Sequence, residues 1–206
     1  YHSCAALAGH IRAGAADATL AALSQGSLAA GAFEAADATD GTVNVATAVG
    51  KLRPPDWSAL AAPYALLPAL AQVQARHAEA LAALQQFRVL TFHRSGPWGS
   101  AEANTRMAEA LAPAGWRTGS EPWPGTPVLL TRNVHPLGLA NGDIGLAVLR
   151  DGGTRVWFAF QTGTEIRYFS PSQLAGWEPA FAMTVHKSQG SQARNVALLL
   201  PDEASR

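Results

Sequence analysis

The 206-residue sequence contains one cysteine and carries no net charge. A lone Cys4 excludes a disulfide framework and fits a small core residue in a reducing compartment. Lys plus Arg and Asp plus Glu both number 15, so contact with a polyanion depends on a local basic patch. His10, His77 and His135 have no ligand spacing with each other or with Cys4, which argues against a metal site.

The sequence also lacks the features of export and membrane insertion. No stretch approaches the ~20 apolar residues of a membrane span, and the start, YHSCAALAGHIRAG, has neither the charged region nor the long apolar region of a signal peptide. We therefore expect a cytoplasmic protein with no membrane partner. Because the chain has no initiator Met and ends just after a predicted strand, we expect a fragment of a longer protein.

Helical patterns dominate the first half. Residues 1 to 30 suggest two short Ala-rich helices, and residues 31 to 57 carry no clear pattern. Ser58 to Phe87 is the longest helical pattern, and Pro63 and Pro68 interrupt its start. Six residues of this long pattern are expected near one face: Leu66, Leu70, Val73, His77, Leu81 and Leu84. Val89 to Phe92 then predicts a strand and Ala101 to Leu111 a helix, with Ser100 as its N-cap.

Short β-rich runs separated by turn residues follow from Gly125 to Leu174. They predict a small antiparallel barrel or a curled sheet over 126–175. Their aromatic residues alternate as expected for barrel core and surface: Trp157, Phe158, Phe160, Tyr168 and Phe169. The run Phe181 to Val185 is fully apolar, as in a buried parallel strand. The sequence therefore predicts an α/β domain interrupted by a barrel, with 1–125 as its first part and 176–206 as its continuation.

The stretch FAMTVHKSQGSQ, residues 181 to 192, runs from this apolar strand into a polar loop. Hydroxyl, imidazole and ammonium groups can all bind phosphate oxygens, and a glycine allows a tight turn. Ligands of open α/β sheets bind beyond the carboxyl ends of the strands. A solvated loop is the common structural alternative for such a run.

Three motifs in order carry a resemblance: LTFHRSGPWGSAEANTRM, GTPVLLTRNVHPLGLANGDIGLAV and AFAMTVHKSQGSQ. Together they resemble the carboxyl-terminal part of the RecD family of superfamily 1 helicases, the alpha subunits of exodeoxyribonuclease V. The resemblance implies a RecA-like second motor domain with an inserted SH3-like barrel. It also implies ATP and Mg²⁺ as cofactors of the full-length protein, and single-stranded DNA and the beta and gamma subunits as partners.

The same resemblance assigns the loop after the strand to helicase motif V. It makes Thr184, His186, Lys187 and Ser188 candidates for the DNA backbone. Gln189 and Gly190 would approach the nucleotide cleft, where Gln192 replaces an acidic residue that many relatives carry.

Two other loops offer candidates for DNA contact. Arg94 and the N–H groups around Gly99 to Ala101 would hold a phosphate, with Asn104 pinning the loop; the alternative is an ordinary turn. Arg132 and Asn133 follow a predicted strand and would touch DNA or cap the barrel.

Other functions remain open at this stage. HKSQG also occurs in Pif1-like and relaxase-linked helicases, and a non-catalytic DNA- or protein-binding module could use the same surfaces. No G-x-x-x-x-G-K-[ST] phosphate loop or recognisable magnesium-binding acidic pair occurs in the sequence. The resemblance puts both upstream, and the arginine finger just past Arg206, so no catalytic residue is expected here.

The missing phosphate loop generates the first testable prediction. The 206-residue chain should show no protein-dependent ATP hydrolysis with single-stranded DNA present, because nothing in it can cradle the β- and γ-phosphates. A steady-state phosphate-release assay checks this. Turnover that survives repurification and follows the protein through the column would contradict it.

Overall fold

The computed structural model describes residues 13, 45–46, 55–114, 122–174, 176–189 and 191–199. The chain divides into two compact units, Tyr1–Arg53 and Pro54–Arg206. In the first unit the strand β1 spans Val45–Ala46. The predicted helices of residues 1 to 30, Cys4 and Gly190 lie outside the described residues.

The second unit mixes short helices with two sheets. Its helices are α1 (Trp57–Ala61), α2 (Leu67–Ala71), α3 (His77–Leu84) and α4 (Ser100–Ala110). Its strands are β2 (Phe87–Thr91), β3 (Pro127–Leu130), β4 (Ile144–Leu149), β5 (Val156–Thr162), β6 (Glu165–Phe169), β7 (Trp177–Pro179), β8 (Ala182–Thr184) and β9 (Asn195–Leu199). This confirms the mixed α/β class.

The parallel sheet of this unit has β2 between β8 and β9. Val89 pairs with Ala182 on one side and with Ala197 on the other, and both neighbours run parallel to β2. The predicted return of the apolar run 181–185 to a parallel sheet is therefore confirmed. All three strands carry buried residues, as expected for a sheet covered on both faces.

The antiparallel sheet has the order β6-β5-β4-β3-β7 and lies, in sequence, between α4 and β8. Alternate residues face two different cores. Leu146 and Ala159 pack with the helices, whereas Phe158, Phe160 and Phe169 enclose a second apolar cluster. Burial of these phenylalanines confirms the predicted core role of the alternating aromatics.

The predicted closed barrel is not found. A barrel closes only when the two edge strands of its sheet pair with each other, and in the described residues the edge strands β6 and β7 do not pair. β7 contributes only three residues, and the chain passes from it into β8 of the parallel sheet after two further residues. The sheet is therefore open.

The helical pattern predicted over Ser58 to Phe87 is interrupted at Pro63 and Pro68, as expected, and again after Ala71, which was not predicted. Proline has no N–H to donate, and Pro63 and Pro68 each sit at the first positions of a new helical turn. Leu66 and Val73 fall in the breaks and are 70% and 46% exposed. Three short helices replace one long one.

His77 joins α3 to the antiparallel sheet. Its side chain is fully buried, with Nε2 3.1 Å from the Ala71 carbonyl oxygen and Nδ1 3.1 Å from the Tyr168 hydroxyl. Because a carbonyl only accepts, Nε2 carries the proton and neutral Nδ1 accepts from the tyrosine. Burial lowers the pKa of His77 below its ordinary value.

This pKa shift makes the stability of the chain depend on pH. The unfolded chain takes up a proton near pH ~6.5, whereas folded His77 resists it, so stability is lost as the pH falls below that value. We expect the free energy of unfolding to fall by up to about 1.4 kcal/mol per pH unit from this group. Urea unfolding between pH 8 and pH 5 measures this dependence. The free energy of unfolding should change less with pH in His77→Gln than in the native chain, and an equal pH dependence in both would contradict this role of His77.

Candidate nucleic-acid interface

The carboxyl ends of β2 and β8 meet at one edge of the parallel sheet. Thr91 pairs with Thr184, and the Val185 N–H extends the ladder by donating to the Thr91 carbonyl at 2.9 Å. The two loops that carry most of the predicted DNA contacts leave the sheet side by side at this point. Residues about 90 positions apart in the sequence therefore lie on neighbouring loops at one edge of the sheet.

The loop after β8 turns back immediately. The N–H groups of Lys187 and Ser188 donate to the Thr184 carbonyl at 3.0 and 3.1 Å, and the Lys187 N–H also lies 3.3 Å from the Thr184 hydroxyl oxygen. The Ser188 hydroxyl donates to the Val185 carbonyl. Thr184 and Ser188 thus shape the turn, and they leave His186 exposed on it.

Lys187 and Arg94 converge on one carboxylate that sequence reasoning missed. Lys187 Nζ donates to Glu178 Oε1, and Arg94 Nη2 lies 3.5 Å from Glu178 Oε2. The Lys187 and Glu178 side chains are 28% and 24% exposed, whereas Arg94 is 72% exposed. The two predicted phosphate-binding cations thus lie together, but each has an acidic partner.

The loop after β2 folds over the first turn of α4. Its carbonyls at Gly96, His93 and Arg94 accept from the N–H groups of residues 99, 100 and 101 at 2.9 to 3.0 Å. The predicted anion site at this helix start is therefore already filled by the loop itself. The N-cap is Gly99, and Ser100, the predicted cap, is the first helical residue.

Gly99 is required by the close approach of this loop. A Cβ there would lie 2.8 Å from the carbonyl oxygens of Arg94 and Ser95, which are backbone atoms with little room to move. The glycine therefore has a structural reason that does not depend on a ligand.

Asn104 bonds to the outer edge of β8. Its side-chain amide donates to the carbonyls of Ser100 and Ala182, both at 2.8 Å, and its Oδ1 accepts from the Ala182 N–H at 3.1 Å. Both amide protons are used within the protein. In the structure Asn104 therefore fixes α4 to β8, the strand that precedes the polar loop, whereas the prediction had it pin the loop after β2.

Arg132 and Asn133 follow the end of β3, outside the antiparallel sheet. Asn133 accepts from the Asn141 N–H at 2.8 Å and so supports the turn before β4. Arg132 is exposed, and its side chain passes close to Gly176 at the start of β7. Arg132 thus adjoins the strand that carries Glu178, whereas Asn133 serves the fold.

The second half of the polar loop lines a different surface. Gln189 and Gln192 border a polar cleft of about 520 Å³. Arg88, at the start of β2, also lines it and is 5% exposed, with Nη1 3.8 Å from Met183 Sδ. Burial lowers the pKa of Arg88, and nearby Tyr64 opposes this. The predicted separation of the loop into a DNA side and a cleft side is compatible with this geometry.

Metal binding and membrane insertion have no support in the described ranges. Within them no three His, Cys, Asp or Glu side chains come together as a metal site would require. Among those same residues, no helix combines the length and apolar character needed to cross a bilayer.

Several known proteins with similar sequences share one description. The RecBCD enzyme subunit RecD of Mycolicibacterium smegmatis is 39% identical over 148 residues, 70% of this chain and 25% of that protein. The RecD subunit of Mycobacterium tuberculosis is 36% identical over 156 residues, which cover 74% of this chain and 26% of that protein. The RecD subunit of Haemophilus influenzae is 36% identical over 121 residues, which cover 57% of this chain and 18% of that protein. No protein-family model matches the chain.

These similarities confirm the resemblance carried by the three motifs, and the chain is related in sequence to RecD subunits. It spans about a quarter of the length of the two mycobacterial relatives.

The bonds of Asn104 generate a prediction about stability. Asn104→Ala should lower the free energy of unfolding by about 2–3 kcal/mol, because it leaves the buried N–H and C=O of Ala182 without their Asn104 partners. Thr105→Ala is the matched control on the same helix; its exposed hydroxyl bonds only to Ala101, so a change within about 0.5 kcal/mol is expected. Chemical denaturation measures both, and equal losses would remove the special role of Asn104.

Proposed function

We propose that this chain, as a relative of RecD subunits, is part of an ATP-dependent single-strand DNA translocase and helicase of the exodeoxyribonuclease V type. Its parallel sheet would be the RecA-like second motor domain, and its antiparallel sheet the SH3-like insertion. The complex would include beta and gamma subunits and act in double-strand break repair and recombination. ATP and Mg²⁺ would bind with the help of residues beyond these 206.

The observation that carries the proposal is the pairing of two loops at one sheet edge. Lys187 and Arg94, drawn from loops that follow different strands, lie within reach of the same carboxylate. A phosphate at this edge could therefore be held by both cations. The exposed His186 adds a further donor on the same turn.

The contacts offered here suit a nucleic-acid backbone better than bases. Ammonium, guanidinium and imidazole groups bind phosphate oxygens whatever the sequence. The aromatic residues of the antiparallel sheet are buried or packed against the cores, so they offer no stacking platform for bases. A grip on the backbone alone is what a translocase needs, since it must move along any sequence.

The polar loop would connect this grip to the nucleotide. Its first half, through Ser188, forms the turn at the DNA side, and its second half supplies Gln189 and Gln192 to the polar cleft. We propose that nucleotide-dependent movement of the second half is passed to Lys187 through two or three residues of backbone. Hydrolysis would thereby alter the hold on DNA.

Replacement of Lys187 tests the phosphate contact. In the full-length protein, Lys187→Ala should weaken single-strand binding by about threefold to tenfold on every sequence, and the slope of log K against log salt should shrink by roughly 0.7. His186→Ala should also weaken binding, and DNA-stimulated ATP hydrolysis should fall with both. Fluorescence anisotropy on homopolymers at several salt concentrations measures these effects.

Arg155→Ala is the matched control. Arg155 is an exposed cation just before β5, three strands from β7 in the antiparallel sheet. It should change affinity little. If Lys187→Ala and His186→Ala behave like Arg155→Ala, the polar loop is a solvated turn and the proposed DNA contact is wrong.

A further inference from the structure

We propose that Glu178 competes with the DNA backbone for Lys187 and Arg94, holding both cations when no DNA is bound and taking them back when a phosphate leaves. This inference rests on the proposed function. It assigns a role to the only acidic residue between Glu165 and Asp202.

The carboxylate is held more firmly than its two partners. Glu178 lies within β7, where it pairs with Leu129 in an antiparallel ladder, so its backbone is fixed by the sheet. Lys187 and Arg94 lie on loops that follow strands and carry long side chains. An exchange of partners therefore requires the cations to swing while the carboxylate stays in place.

Each carboxylate oxygen serves one cation. Oε1 accepts from Lys187 Nζ, and Oε2 faces Arg94 Nη2 at 3.5 Å. The three side chains together carry one positive charge, which is enough to attract a phosphate but less than the two cations alone would supply. Partial burial of Glu178 and Lys187 leaves their interaction less screened by salt than an exposed pair.

A phosphate bound by Lys187 would lie within a few ångströms of Glu178. Like charges placed this close repel each other and weaken the complex. The same carboxylate favours dissociation of the DNA, because a cation that loses its phosphate can form an ion pair with Glu178 at once. Glu178 should therefore act mainly on the dissociation rate, which is where most differences in affinity between related complexes arise.

The alternative role for Glu178 is structural. In that role Glu178 would hold the Lys187 side chain in the position that DNA binding requires, and removal of the Glu178 carboxylate would then weaken DNA binding. The two roles predict opposite signs for the same substitution. A charge-neutral amide of nearly the same shape distinguishes them. Glu178→Gln keeps one oxygen that can accept from Lys187, while it removes the charge and replaces the second oxygen, which faces Arg94, with an NH₂ group.

The test compares Glu178→Gln with Glu165→Gln in the full-length protein. Glu165 starts β6, at the opposite end of the sheet order from β7, so its variant removes the same charge far from the loops. Glu178→Gln should bind a single-stranded oligonucleotide about three- to tenfold more tightly at about 50 mM salt, mainly through slower dissociation, and the gain should shrink at about 500 mM salt. Glu165→Gln should bind like the native protein.

A double-mutant cycle with Lys187→Ala separates this inference from the function it rests on. Lys187→Ala should cost more affinity in the Glu178→Gln background than in the native one, because the lysine is then free of its carboxylate. If Lys187→Ala weakens binding but Glu178→Gln is neutral or weakens it too, the competitor role is wrong and the phosphate contact stands. If Lys187→Ala has no effect in either background, both proposals fail.

Discussion

The pairing of β8 with β2 is the constraint on which the candidate site depends. These strands are separated by some 90 residues of sequence, and only their parallel alignment brings the loop at Arg94 beside the loop at Lys187. Parallel pairing requires a crossover connection, and here the connection contains α4 and a whole antiparallel sheet. Asn104 reinforces the arrangement by bonding to the edge of β8 that β2 leaves uncovered.

The antiparallel sheet can sit inside this connection because its first and last strands are neighbours. β3 and β7 pair with each other, and the Ala180 N–H donates to the Pro127 carbonyl at 2.9 Å, so the chain enters and leaves the sheet at almost the same place. The last strand of this sheet, β7, also carries Glu178. The antiparallel sheet therefore places a charged group beside the loops of the parallel sheet.

Local patterns predicted the elements that surround the site, while long-range contacts were beyond them. The apolar runs at β2 and β8 and the helix at 100–110 were predicted to within a residue or two, because burial imposes a pattern on each segment by itself. Glu178 meets Arg94 across 84 residues, and no periodicity marks that contact. The interruption of the helical pattern at Pro63 and Pro68 was predicted because proline has no N–H to donate, whereas the further break after Ala71 has no proline to mark it.

The most direct test of the account is a crystal structure of the full-length protein with a single-stranded oligonucleotide bound. We expect a backbone phosphate within hydrogen-bonding distance of Lys187 Nζ, and we expect the ion pair between Lys187 and Glu178 to be broken. The loops that follow β2 and β8 should contact no base. A complex in which the DNA lies elsewhere, with Lys187 still paired to Glu178, would contradict it.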